Sequence, residues 1–333
     1  MAVEIRKIEE KDFNILPELF NNRKNTDLIK WVYSHPCADG KSAYVAIEDG
    51  KLVGAIGFVR SQYNINGEVK NGIIPLSWEV EEEKRGFVGT KLLFTALKGA
   101  DFYIGMDGSE DMKMIFEKLN FKKVGEGTSA RKIIEPLQHL KTLKKVGPKD
   151  LIRMSRSIMK NAFKKKKTKE SFLREIKEYD SEKVNNDRSV FHHVISNEHI
   201  DWLKKNPGME QYLFEININN KIYAPVIVFV KEIKNGVKRG QIVHLPPMEK
   251  EDLEMLPEII YELENKLKQK GATAITTLVT NSDVKMAFKK VGYTFDAKAR
   301  PIVFKGPKDV FEILQKTKIQ LSFAESDKSV RNI

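Results

Sequence analysis

Residues 77–90 hold the groups with the most legible chemistry. They read Ser77-Trp78-Glu79-Val80-Glu81-Glu82-Glu83-Lys84-Arg85-Gly86-Phe87-Val88-Gly89-Thr90. A pyrophosphate needs several backbone N–H groups converging on it with no side chain in the way. A glycine-bearing turn that enters a helix supplies those donors together with the helix dipole. Arg85 to Thr90 therefore reads as a candidate anion cradle to which Arg85 adds a charge; the plainer reading is a strand-to-helix turn capped by Thr90. Just before it, Ser77 and Glu79 lie on an apolar strand, where a carboxylate or hydroxyl could exchange a proton with a bound substrate. Asp107, at the end of a second apolar strand, and Ser109, at the cap of the helix that follows, are further candidates; each also has an ordinary reading as a surface or cap residue. The histidines His192, His193, His199 and His244 lack metal-ligand spacing with cysteine or acidic residues.

These residues must be positioned by strands and helices that the pattern announces. Helices are expected over 9–23 and over Leu28–Val32, which proline ends at Pro36. Ser42–Ile47 and Lys51–Arg60 flank Asp49-Gly50, and Tyr63–Ile65 and Glu68–Lys70 flank Asn66-Gly67, both hairpin turn signals. Ile73–Val80 is a further strand. Strict alternation there puts Leu76, Trp78 and Val80 on one face and Pro75, Ser77 and Glu79 on the other. A helix Lys91–Lys98, a strand Ala100–Met106, a helix after Ser109 and a closing strand Lys122–Ile134 complete the series.

The series then occurs again. Asp111, Lys113, Met114, Phe116 and Lys118 recur as Asp283, Lys285, Met286, Phe288 and Lys290, 172 residues on, and Trp31-x4-Pro36 recurs as Trp202-x4-Pro207 at an offset of 171. The elements between these pairs follow the same order, which predicts a duplicated unit. The expected division is 1–140, a basic helical linker over 141–175, and 176–333. The copies differ at the candidate cradle. After the strand Gln241–Leu245 the second copy reads Pro246-Pro247-Met248-Glu249-Lys250-Glu251-Asp252. Proline has no N–H to donate and the acids repel phosphate, so the second copy is expected not to hold a pyrophosphate. His244, which ends that strand, is a candidate contact for an acceptor, as is Trp78.

The composition bounds the rest. The chain has 333 residues, 41% hydrophobic, a net charge of +12 and one cysteine, Cys37. That suits two folded units and excludes an internal disulfide. No apolar run approaches a membrane span and the N-terminal MAVEIRKIEEKDF has no apolar signal core, so cytoplasm is the expected location. Residues 141–170 hold twelve Lys or Arg against two acids, a net +10. The basic character thus belongs to one segment, read as a solvated helical linker or a site for RNA, an anionic cofactor or membrane headgroups.

Helix, helix, hairpins, strand, glycine-containing loop, helix, strand, helix, strand is an order that resembles the GCN5-related N-acetyltransferases, twice over. The closing helices support it: Ser109…Phe116…Asn120-Phe121 in the first copy and Asn281…Phe288…Gly292-Tyr293 in the second. The resemblance implies an α/β fold of two tandem domains, each a mixed, mostly antiparallel sheet flanked by helices. It also implies an acyl-coenzyme A donor, acetyl or longer. The family pattern Arg/Gln-x-x-Gly-x-Gly/Ala falls on Arg85, Gly86, Phe87, Val88, Gly89 and Thr90, with Val88 at the first glycine position and the loop about one residue short. By the same resemblance, backbone N–H groups around Val80 and Glu81 polarise the thioester carbonyl, and Glu79, Ser77, Asp107 or Ser109 handles protons. The family's frequent tyrosine acid is replaced by Phe116, which donates no proton.

Three functions are open on this reading. An N-acyltransferase would pass the acyl group to an amine; tandem units with an early Trp-x4-Pro are similar to nucleotide-sugar N-acyltransferases acting on dTDP-linked amino-dideoxy sugars, as in anthrose biosynthesis. A Fem-like aminoacyl transferase would take its donor from tRNA, with 141–170 as the RNA contact. A pair without catalysis would act as a binding module.

Overall fold

The computed structural model of the chain describes residues 3–19, 26–34, 43–106, 110–139, 171–180, 184 and 187–323. The first unit runs β1 (Glu4–Lys7), α1 (Leu16–Leu19), α2 (Thr26–Tyr33), β2 (Ala43–Glu48), β3 (Lys51–Ile65), β4 (Glu68–Val80), α3 (Phe87–Leu97), β5 (Phe102–Met106), α4 (Glu110–Lys118), β6 (Lys122–Ile133) and α5 (Pro136–His139). The second runs β7 (Leu173–Ile176), β8 (Phe191–Val194), α6 (Asn197–Lys204), β9 (Glu210–Ile218), β10 (Lys221–Lys234), β11 (Val237–His244), α7 (Leu256–Gln269), β12 (Ala272–Val279), α8 (Ser282–Val291), β13 (Thr294–Phe295), β14 (Arg300–Lys305), α9 (Lys308–Lys316) and β15 (Ile319–Gln320).

Local chemistry explains most boundaries. The β2–β3, β3–β4 and β10–β11 turns use Asp49-Gly50, Asn66-Gly67 and Asn235-Gly236, all at positive φ, the conformation that two-residue hairpin turns need. Asn281 caps α8 by accepting a hydrogen bond from the Asp283 N–H at 2.9 Å, and Gly292 ends it at φ 97°, as a left-handed C-terminal glycine does. Three expectations need correction. Over its described part the expected helix 9–23 is broken into a 3-10 turn over Glu10–Asn14 and α1, and residues 20–23 lie outside the described residues. The two strand pairs before residue 80 are one long hairpin, because β3 and β4 pair from Ile65–Glu68 to Gly54–Val80. The end of the expected helical linker is a strand, since β7 pairs with β9; residues 140–170, with the basic run, lie outside the described residues.

The strands join in the order β1-β2-β3-β4-β5-β14-β6-β12-β11-β10-β9-β7. The two units exchange their closing strands at its centre. β14 from the end of the chain pairs with β5 of the first unit, while β6 pairs with β14 over its first half and with β12 over its second. The sheet crosses the expected division near 140 and 176.

The repeated tryptophans lie where the copies meet. Trp31 and Trp202 stack with ring centroids 4.4 Å apart and an interplanar angle of 8°. The Trp31 indole N–H donates to the Trp202 carbonyl at 2.7 Å and the Trp202 N–H donates to the Trp31 carbonyl at 2.8 Å. Such reciprocity, in which each residue makes to the other the contact it receives, is what two-fold related copies produce. One apolar cluster spans both units here, from Leu28, Ile29 and Phe102 to Ile200, Leu203 and Phe229.

Histidines line the same junction. His193 lies 5.4 Å from Tyr63 and 4.7 Å from His199, whose ring is 5.4 Å from Trp202. Burial, with His192 beside it, pushes His193 down to about 3; burial, with His193 and His244 nearby, holds His199 well below its usual value. These rings are neutral when folded and protonate once unfolded. Below about pH 6.5 the unfolded chain binds more protons, so stability falls as pH falls, by about 1.4 kcal/mol per pH unit for each such imidazole. For His193 this continues down to about pH 3. Urea denaturation at pH 7 and pH 5 should show that loss, and His193→Gln should reduce its slope.

Candidate active site

The site is an opening between β4 and β5. The two strands pair in parallel only at Gly72–Phe102 and Ile73–Tyr103. Beyond those pairs β5 turns to β14, and the C-terminal half of β4 has no neighbour on that side among the described strands. The register of β3 with β4 slips there: Gly57 faces Leu76, but Ala55 faces Glu79. The extra residue in β4 makes a bulge. Ser77, at its centre, has φ 51° and is 3% exposed, and its carbonyl accepts a hydrogen bond from Tyr33 Oη at 3.0 Å.

The bulge overturns the expected alternation. Ile74 and Leu76 pack in the central cluster under α2, whereas Trp78 and Val80 pack with α3 in another. Glu79 thus shares the face of Leu76, opposite Trp78, and stands across from Ala55 of the central cluster. The bulge also sorts the backbone donors. The Glu81 N–H is engaged by the Val53 carbonyl at 3.0 Å. In an antiparallel ladder successive residues face alternate sides, so the Val80 N–H faces away from β3 and into the opening.

The mouth of the opening is the start of α3. This helix begins at Phe87, four residues earlier than the pattern predicts, so Phe87–Thr90 form its first turn rather than a free loop. Gly86 is its N-cap at φ 87° and ψ −88°, with no side-chain cap and nothing within 4 Å of where a Cβ would be. The Thr90 N–H closes the first helical hydrogen bond, to the Gly86 carbonyl at 2.9 Å, which leaves the N–H groups of Phe87, Val88 and Gly89 at the helix end. Arg85, Gly86 and Phe87 are exposed, while Val88 and Gly89 are buried. Trp78 packs beneath Gly89, where an added Cβ would lie 3.2 Å from its ring, and its indole nitrogen is enclosed. Trp78 therefore supports the helix start. Lys51 pairs with Glu81 at 2.7 Å and Lys84 with Glu48 at 2.6 Å, which offsets acids that would repel an anion here. A pyrophosphate fits this end: bare N–H groups, an uncluttered glycine and a free surface beside Arg85.

Asp107 and Ser109 lie outside the described residues. Phe116 is core, 5% exposed and 4.6 Å from Phe121. His244 is 3% exposed and near His199, in the junction between the units. Among the described residues no group of His, Cys, Asp or Glu could hold a metal ion, and no helix is long and apolar enough to cross a membrane.

The second unit has no such opening. β11 stays paired with β12 from Lys238–Ala272 to Ile242–Thr277, and residues 241–248, with Pro246 and Pro247, are all buried. The Leu245 carbonyl accepts from Gln320 Nε2 at 2.8 Å, so the end of the chain closes the place. Asp252 is used internally, accepting from Tyr223 Oη at 2.6 Å. A groove of about 470 Å³ remains nearby, lined in part by Asp187, Lys250, Asn281 and Lys316, away from the β4–β5 opening.

No family model matches the sequence, and no curated protein matches it. Solved structures do. N-myristoyltransferase of Saccharomyces cerevisiae with bound myristoyl-CoA is 12% identical over 96% of this chain and 84% of its own, with a TM-score of 0.62. An acetyltransferase-like protein from Pyrococcus horikoshii is 12% identical over 97% and 96%, with a TM-score of 0.54. A GCN5-related N-acetyltransferase from Anabaena variabilis is 10% identical over 91% and 72%, with a TM-score of 0.55. At such identity the likeness is one of fold. What the chain shares with these structures is the fold of the GCN5-related N-acetyltransferases, a mixed sheet flanked by helices.

Proposed function

We propose that the protein is an N-acyltransferase that moves an acyl group from acyl-coenzyme A to an amine, with the reaction in the first unit. The observation that carries this reading is the opening between β4 and β5, ending at the uncapped start of α3. Arg85, Gly86 and the N–H groups of Phe87, Val88 and Gly89 would hold the pyrophosphate, with Thr90 closing the turn. The Val80 N–H would donate to the thioester carbonyl oxygen. Coenzyme A, when bound, supplies the thioester. Glu79 would accept the proton of the attacking amine, with Asp107, Ser109 and Ser77 as further proton-handling candidates. The second unit, closed at the equivalent place, contributes packing and the acceptor side. The bound myristoyl-CoA of the yeast structure supports the donor class.

The finer acceptor reading, a nucleotide-linked amino sugar, rests on resemblance through the Trp-x4-Pro pair. Purified protein should be warmed with acetyl- or long-chain acyl-coenzyme A and should melt at a higher temperature than alone. It should then release free thiol with at least one amine from a panel of amino-sugar nucleotides, peptides and polyamines. No stabilisation by either donor would sink the reading. Stabilisation without thiol release would favour a binding module, and stabilisation by charged tRNA instead would favour the Fem-like alternative.

The cradle makes a separate prediction. A β-branched side chain at the φ of 87° of Gly86 costs about 1–3 kcal/mol, and a loop that relaxes to escape it loses the converging donors. Gly86→Val is expected to weaken coenzyme A binding by about 5- to 150-fold. Gly50→Val, at a hairpin turn with φ 78°, should lower stability and leave binding unchanged. Calorimetric titration of both variants checks this.

A further inference from the structure

We propose that Tyr33 is a positioning residue: its hydroxyl holds the bulge of β4 in the one conformation that points the Val80 N–H and the Glu79 side chain at the reacting atoms. The proposal rests on the acyl-transfer reading and deepens it.

Ser77 is a non-glycine residue with φ 51° in the body of a strand. A serine there is strained and persists only where its surroundings enforce it. The enforcing contact is the hydrogen bond from Tyr33 Oη to the Ser77 carbonyl at 3.0 Å, in the interior. The path of the tyrosine is prepared on the facing strand. Gly57 lies opposite Leu76, one step from the bulge; a Cβ there would collide with Tyr33 Cε1 and lie 2.6 Å from Cδ1. Only a glycine lets the ring cross β3 to reach Ser77. Tyr33 is itself fixed, 3% exposed at the end of α2, two residues after the Trp31 of the central stack.

The consequence follows from strand geometry. A one-residue change of register sends every later side chain to the opposite face. If the bulge were ironed out, Glu79 would turn towards α3 and the Val80 N–H would turn back to β3. Both candidate reacting groups thus depend on one carbonyl being held. The second unit provides an internal comparison. β11 also carries a register irregularity, where Ile227 faces His244 and Val228 faces Ile242. Yet no residue of β11 has a positive φ, and offsets of 171 and 172 from Tyr33 fall on Lys204 and Lys205. The clamp is present only in the unit that has the opening.

The test compares wild type, Tyr33→Phe, Ser77→Gly and the double variant Tyr33→Phe/Ser77→Gly. Coenzyme A binding is read from thermal stabilisation, and carbonyl polarisation from the infrared stretch of bound 1-13C-acetyl-coenzyme A. Wild type should stabilise with coenzyme A and lower the carbonyl frequency relative to the free thioester. Tyr33→Phe should keep the stabilisation and lose most of the frequency shift. The double variant should recover the shift, because glycine adopts the left-handed conformation without a clamp, and Ser77→Gly alone should retain it. A Tyr33→Phe protein with the full shift, or a double variant that does not recover it, overturns the positioning role while the acyl-transfer reading stands. Failure of the wild type to bind coenzyme A overturns that reading, and the role of Tyr33 with it, before any variant is compared.

Discussion

Trp31→Ala lowers the free energy of unfolding by about 3–5 kcal/mol, the range for deleting a large buried aromatic side chain, and Trp202→Ala does the same. The two rings are 5% and 3% exposed, stack on each other and each donates to the other's backbone carbonyl. Removing one ring leaves a cavity and a buried carbonyl without its donor. The second removal then costs less than the first, because part of what it would take away has already gone. The double variant should therefore fall short of the sum by about 0.5–3 kcal/mol, the coupling seen between residues in contact. Equilibrium denaturation of the four proteins measures this. Because closing strands are exchanged between units, one cooperative transition is expected rather than one for each copy. The experiment also separates two roles for the repeated Trp-x4-Pro motif. Acceptor-binding tryptophans would lose affinity with little change in stability. Tryptophans that join the copies lose stability first.

Glu79→Gln reduces acyl transfer by about 10²- to 10⁴-fold, the usual contribution of a positioned general base, and leaves donor binding unchanged. The amide keeps the size and can still donate, but it cannot take a proton from the amine. Glu79 is half-buried on the face of the central cluster, one residue from the Val80 N–H that faces the opening. That places the candidate base and the candidate carbonyl donor on consecutive residues, as the acyl-transfer reading requires for two groups acting on one tetrahedral centre. Single-turnover rates with saturating acyl-coenzyme A, and thermal stabilisation by coenzyme A, check the two halves of the prediction. Glu82→Gln, on an exposed residue of the following turn, should change neither. An equal loss in both variants would point to the charge of the segment and not to a base at Glu79.

The duplicated architecture was open to reading because it is local. Turn residues, helix caps and apolar periodicity act over a few residues, so Asp49-Gly50, Asn66-Gly67 and Asn235-Gly236 mark their hairpins and the repeated helix is recognised by its own spacing. Pro246-Pro247 likewise told that the second copy could not present donors, since the absence of an N–H is a property of the residue. The exact start of α3 was harder, because nothing between Arg85 and Thr90 carries a side-chain cap. After α9, Ile319, Leu321 and Phe323 are buried by partners in β8 and in the central cluster that lie far off in sequence.

By itself the sequence carried the repeated residues at offsets of 171 and 172, the order of the elements, the glycine-bearing entry to α3 and the prolines at the corresponding later place. Each follows from residue type and spacing over short range. Tertiary structure alone decided the face of Glu79, the direction of the Val80 N–H, the exchange of closing strands and the placing of Trp31 on Trp202. A bulge has no signature in an alternating pattern: it depends on Tyr33 of α2 reaching Ser77 across Gly57, three residues distant in the chain and adjacent only after packing. The same long-range packing brought the repeated tryptophans and His193 and His199 together where the two halves meet.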